Sequence, residues 1–143
     1  MAFYAHSRDD GKGPTSGQGW QQLDDHLENV ARLAEQMANV FNSGGWAFNA
    51  ALLHDLGKAD ERFQAYLLRE NGLDDSEYDS AGHGRVNHSS AGAALCEDAM
   101  GLPGRILAYL VAGHHAGLPD WYSSDTGSAS LSARLPEGLE NLQ

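Results

Sequence analysis

The stretch WQQLDDHLENVARLAEQMANVF, residues 20–41, decides the fold class. Its apolar residues Trp20, Leu23, Leu27, Val30, Ala34, Met37 and Phe41 recur at alternating steps of three and four. That spacing places them on one face of an amphipathic helix. Asp24 and Asp25 stand near its start, where the helix dipole favours acids, and Asn42-Ser43-Gly44-Gly45 ends it. The following segment, Trp46 to Leu56, is apolar over most of its surface, which predicts a second helix central to a bundle, with Gly57 as its stop. The aromatics Trp20, Trp46, Phe48 and Phe63 fall at helical spacing and are expected in the core.

Downstream, Asp60 caps a third helix over 61–70, closed by Asn71-Gly72. Residues 73–86 hold four acids among Gly and Ser and read as a solvated loop. Asn87 or Ser89 caps a fourth helix over 90–100, and Pro103 opens a fifth that runs to about His114. Residues 123–143 turn Ser- and Gly-rich, with at most a helical turn at 131–135 and no expected core residue. The sequence shows no strand signal and no repeat. The expected architecture is an all-α bundle of about five helices over residues 1–122, followed by a loop-rich tail over 123–143.

Composition narrows the function. The chain has 143 residues, 9 Lys and Arg against 20 Asp and Glu, and a net charge of −11. A broad basic face that grips nucleic acid is excluded, because phosphate contacts need Lys and Arg. A nucleic-acid enzyme that takes its positive charge from bound metal ions is not excluded. One cysteine, Cys96, forms no disulfide within the chain and no Cys-based zinc site. No signal peptide and no apolar run of membrane-spanning length is present, so a soluble, cytoplasmic protein is expected.

Histidine carries the functional signal. Of seven, His26 flanks the apolar stripe of the first helix, and His54-Asp55 ends the second. His88 precedes the fourth helix and His114-His115 closes the fifth. Any one of these alone reads as a cap, an ion pair or a core histidine; five around one bundle centre point to a shared site. A carboxylate at a buried helix end is costly without a partner. Its two oxygens can bridge two cations, whereas each imidazole offers one lone pair. Five imidazoles and one carboxylate suit Fe(II), Mn, Co, Ni or Zn, with Mg less suited because it prefers oxygen. Six groups exceed one four-coordinate zinc site and fit two ions bridged by Asp55. Such a pair activates water and stabilises the attacking and leaving oxygens of a phosphoryl group. Lys58, three residues after Asp55, is placed to hold a phosphate oxygen or to meet the helix dipole. His83 reads as solvated, and His6 as either a supporting or a surface residue. Trp121-Tyr122 reads as packing or as a platform for a nucleobase.

Four segments carry a resemblance: Leu23-Asp24-Asp25-His26-Leu27; Leu52-Leu53-His54-Asp55-Leu56-Gly57-Lys58; Asn87-His88-Ser89-Ser90-Ala91-Gly92; and Ala112-Gly113-His114-His115-Ala116-Gly117-Leu118-Pro119-Asp120-Trp121. Together they resemble the HD-superfamily nuclease domain of the CRISPR-associated helicase-nuclease of type I interference systems. Tyr4-Ala5-His6-Ser7 and Phe63-Gln64-Ala65-Tyr66-Leu67 are also similar to that family.

The resemblance implies a helical bundle with one or two transition-metal ions that cleaves single-stranded DNA. It implies His26, His54 and Asp55 on one ion, Asp55, His88, His114 and His115 on the other, and Lys58 beside the scissile phosphate. Asp55 and Lys58 are thereby the expected catalytic residues. It further implies a helicase domain, in the same or a separate chain, and a CRISPR surveillance complex as partners. The family takes one more aspartate for its first metal from a later helix. Here Asp120 belongs to the matched segment and Asp125 to the loop, so the expectation is the front part of a larger protein with that site incomplete. The readings set beside it are an HD phosphohydrolase acting on nucleotides and an inactive metal-binding or docking remnant.

Overall fold

A computed structural model describes residues 2–8, 19–73, 87–115, 117–125 and 130–140. Most of the expected Gly11–Gly19 loop and nearly all of the acidic loop with His83 lie outside these residues. The described residues form helices α1 (Leu23–Ala38), α2 (Gly44–Leu53), α3 (Glu61–Glu70), α4 (Ser89–Met100), α5 (Gly104–Gly113) and α6 (Leu131–Glu140). Short 3-10 turns span Asn39–Phe41 and Leu56–Ala59. The all-α expectation holds, with one addition. Strands β1 (Tyr4–His6) and β2 (Gln21–Gln22) pair antiparallel, Tyr4 against Gln22 and His6 against Gln21. Two strands this short give no periodic signal in the sequence.

Helix α1 buries Leu23, Leu27, Ala31 and Ala38 and packs along α2. Its expected stripe fails at the far end, where Met37 is 63% and Phe41 67% exposed. The α-helix stops at Ala38 and the chain tightens into a 3-10 turn, closed by Asn42 in the left-handed region (φ 58°). That change of winding breaks the 3.6-residue period and carries Phe41 off the buried face. Trp46, expected in the core, is likewise exposed at the start of α2, whereas Trp20 and Phe63 are buried together with Leu67.

The central helix is α4, not α2. Ser89 to Ala94 and Cys96 are all buried, and α5 and α6 both pack on this helix. Small side chains make that possible, because neighbouring backbones can approach from several sides at once. The second helix ends at Leu53, leaving His54 as its C-terminal cap and Asp55 ahead of the 3-10 turn. Gly57 is therefore not a left-handed helix stop. A Cβ there would stand 2.2 Å from the His88 carbonyl oxygen, so the glycine permits the turn to press on the start of α4.

As expected, Asp60 caps α3, its carboxylate accepting from the Arg62 backbone N–H at 2.7 Å. The cap of α4 is His88 itself rather than Asn87 or Ser89.

The tail differs most from expectation. Helix α6 packs on α4, and Leu131 and Leu135 are buried in the main core with Leu107, Ala108 and Val111. Arg134 donates to the hydroxyls of Ser89 and Ser90, tying α6 to the start of α4. Pro136 inside α6 is why the sequence reads only as a turn ending near Leu135. Trp121 packs against the same core beneath the Arg105 guanidinium (4.4 Å to the ring centroid), which favours the packing reading for that residue.

Candidate metal centre

Asp55 lies at the meeting point of the helix ends and is 3% exposed. Each of its two oxygens faces a different set of donors. Oδ2 is approached by His54 Nε2 at 3.2 Å, His26 Nε2 at 3.3 Å and Lys58 Nζ at 2.8 Å. Oδ1 is approached by His88 Nε2 and His114 Nε2, each at 3.4 Å. His115 joins the second set through His88, with the two Nε2 atoms 2.8 Å apart. All seven groups named from the sequence, His26, His54, Asp55, Lys58, His88, His114 and His115, thus meet around one carboxylate. They come from the first turn of α1, the end of α2 and the turn after it, the start of α4 and the end of α5.

The imidazole orientations are set from behind. His54 Nδ1 lies 2.6 Å from the Ala51 carbonyl oxygen, and His114 Nδ1 lies 2.6 Å from that of Val111. A carbonyl oxygen only accepts, so both Nδ1 atoms carry the proton. In the neutral ring Nε2 then presents a lone pair toward Asp55. This is the arrangement that metal-ligating histidines show, with one nitrogen donating to a fixed acceptor and the other free to bind.

Three features test whether these residues fit a metal. Asp55 Oδ1 is buried and makes no hydrogen bond, an expensive state for a carboxylate oxygen. Two pairs of Nε2 atoms, His26 with His54 at 3.3 Å and His88 with His115, point at each other. Finally, Oδ2, His26 Nε2 and His54 Nε2 form a nearly equilateral triangle with sides of 3.2–3.3 Å. Donors about 2.0–2.1 Å from a shared tetrahedral ion stand about 3.3–3.4 Å apart. The donor set and its spacing fit divalent transition-metal ions.

Charge is balanced tightly around the carboxylate. Burial alone would raise the Asp55 carboxyl, but the adjoining His114 and His54 imidazoles, in their protonated form, and the Lys58 ammonium hold it well below the usual range. Burial lowers His54, yet its bonds to Asp55 and to the Ala51 carbonyl outweigh that and raise it. His6 is lowered by burial and by the charge of Lys58; His26 is lowered by burial and by the neighbouring imidazoles of His6 and His54. Lys58, itself 5% exposed, also donates to the Ala5 carbonyl at 3.1 Å and lies over the Phe63 ring. It is therefore an internal cation of the centre and not a surface helix cap.

His6 is the residue that spacing did not select. Its imidazole packs edge-on against His26, with centroids 4.8 Å apart, and the donor atoms of His6, His26 and Asp55 lie within 4.8 Å of one another. His6 sits in a strand that is ordered only by long-range pairing, so no local periodicity marks it. A cavity of about 260 Å³ beside the centre is lined by His6, Lys58, Phe63, Tyr66, His88 and His115, among others.

A helical bundle with a histidine and aspartate cluster at its helix ends defines an HD-type metal-binding domain. A family model described as Cas3, HD domain, matches residues 7–140, and the chain belongs to that family of metal-dependent nucleases. Comparison with curated proteins found no match. No helix among the described residues is long and apolar enough to cross a membrane.

Proposed function

We propose that this chain hydrolyses phosphodiester bonds of single-stranded DNA as the nuclease domain of a type I CRISPR interference system. The observation that carries the reading is the convergence of four imidazoles on both oxygens of one buried carboxylate, with a fifth, His115, against His88, in a chain of the Cas3 HD family. His26 and His54 would hold one divalent transition-metal ion. His88, His114 and His115 would hold a second, with Asp55 available to both. Such ions supply water activation and positive charge at the phosphoryl oxygens.

The protein's own groups do the rest. The carbonyls of Ala51 and Val111 hold the His54 and His114 rings with Nε2 turned toward Asp55. Lys58 neutralises Oδ2 at rest and turns to a non-bridging phosphate oxygen when DNA fills the adjoining cavity. The charge of −11 leaves the grip on DNA to partners, a helicase domain and a surveillance complex, in the cytoplasm.

Cleavage of labelled single-stranded DNA, measured with Mn, Co, Ni or Fe(II) and with mononucleotides as a parallel substrate, tests the reading. Metal-dependent cutting that Asp55→Ala abolishes is the expected result. Equal activity in both proteins, or turnover of mononucleotides alone, overturns it.

A further inference from the structure

The cavity beside the centre is lined by two unlike sets of residues. Lys58, His88 and His115 belong to the centre; Phe63, Tyr66 and Leu67 belong to α3. Phe63 and Leu67 are buried and pack with Trp20, Tyr4 and Leu68. Tyr66 does not share that role. It lies on the flank of the buried stripe, is half-buried, and joins none of the apolar clusters formed by the described residues. Its ring touches that of Phe63, with centroids 6.1 Å apart, and its hydroxyl forms no hydrogen bond with another described residue. A tyrosine that neither fills the core nor is tied by its hydroxyl leaves its ring to the cavity it lines.

We propose that Tyr66 is a stacking platform for one unpaired nucleobase of the DNA strand, next to the phosphate that Lys58 meets. This rests on the reading of the centre as a nuclease site for single-stranded DNA. An aromatic ring accepts any base, because every base has a π-face. A base inside a duplex is stacked on both faces and must be flipped out, at a cost, before it can reach such a ring; an unpaired base need not be. Phe63 cannot serve instead. It is buried, with the Lys58 ammonium over its ring and His88 packed against it at 5.3 Å. The spacing between platform and lysine is set by Gln64, two residues before Tyr66 on the same helix. Its Nε2 donates to the Lys58 carbonyl at 2.6 Å and to the Tyr4 carbonyl at 3.0 Å, and its Oε1 accepts from the Tyr4 N–H at 3.0 Å. Helix α3 cannot slide along the Lys58 turn without breaking these three bonds. Stacking also suits the charge of the chain. At −11, affinity for a polyanion has to come in part from contacts that need no cation.

The test uses the whole chain with Mn(II) and a single-stranded oligonucleotide in which only one linkage can be cleaved. Two further substrates lack the base on the 5′ or on the 3′ side of that linkage. Tyr66→Leu keeps the bulk and removes the ring. It should raise KM for the intact oligonucleotide about ten- to a hundredfold, with a much smaller change in kcat, because stacking holds the bound substrate and the transition state alike. Tyr66→Phe keeps the ring and should recover most of that loss. On the wild-type chain one of the two abasic substrates should show the same rise in KM, and Tyr66→Leu should then add no more than about twofold on that substrate. Mn(II) titration and metal-free melting of both variants should match wild type. An unchanged KM in Tyr66→Leu overturns the proposal. So does a rise in KM that persists in full on both abasic substrates, since Tyr66 would then act without a base, and so does a loss of bound Mn(II) in step with the loss of affinity. All three leave cleavage by the wild-type chain standing. A wild-type chain that does not cut the intact oligonucleotide overturns the nuclease reading and the proposal together.

Discussion

Gly57 and His88 touch backbone to backbone: a Cβ on Gly57 would lie 2.2 Å from the His88 carbonyl oxygen and 2.8 Å from its carbonyl carbon. The contact links the turn that carries Asp55 and Lys58 to the first residue of the α4 cap. It sets the distance across which Oδ1 and His88 Nε2 face each other at 3.4 Å. Gly57→Ala cannot be absorbed by a side-chain rotation, because both sides of the clash are main chain. The variant should lose about 1–3 kcal/mol of stability, as overpacked interiors do. It should also bind the ion on the Oδ1 side more weakly. Urea denaturation of the metal-free chain, followed by Mn(II) titration, measures both. Wild-type values in the two assays would show that the turn can move off α4 without cost.

Lys58 is tested by a substitution that keeps its length. Lys58→Met removes the ammonium 2.8 Å from Asp55 Oδ2 but preserves the packing over Phe63. Two bound ions are expected to remain, since the lysine is not a donor to them. Single-stranded DNA cleavage should fall about 10²–10³-fold, the usual cost of losing one charged contact to a reacting oxyanion. Loss of an ion in parallel with activity would assign Lys58 to assembly of the centre.

The helix-end histidines were legible because sequence spacing fixes where a helix ends, and the bundle then gathers those ends. His26, His54, His88, His114 and His115 needed no long-range information beyond that. His6 needed the pairing of β1 with β2 and the clamp from Gln64 and Lys58, all of which join residues far apart in sequence. Gly57 looked like a helix stop because glycine serves both roles, and only the approach of α4 separates them. Trp46 and Phe41 show the converse, that an apolar residue on the right period is exposed where the helix has already ended or nothing covers it.

Helix α6 was missed because Pro136 interrupts its pattern, yet Leu131 is completely buried against α4 and α5. Leu131→Ala should therefore cost about 2–5 kcal/mol, the range for a buried leucine that leaves a cavity. Thermal melting checks this. Because Arg134 on the same helix bonds Ser89 and Ser90 beside His88, a weaker α6 should also loosen metal binding on the Oδ1 side. A loss below 1 kcal/mol would mean that the residues after Tyr122 contribute little to the core.

The pH dependence of the metal-free chain isolates His54. Its folded value is raised, so the folded chain holds a proton more tightly than the unfolded one. Its contribution is complete below the unfolded value of about 6.5 and is lost as pH rises through the folded value. Asp55 has the opposite sign: its folded carboxyl is depressed, so its contribution is complete above about pH 4 and is lost on further acidification. Between these limits, His54→Gln should be less stable than wild type at pH 5.5. The gap should narrow steadily toward pH 8 as the wild-type imidazole loses its proton. Denaturant melts of both proteins across this range, with a chelator present, measure that gap. A gap that stays constant would show that His54 is neutral throughout, with the Ala51 carbonyl and the approach to Asp55 satisfied by the uncharged ring.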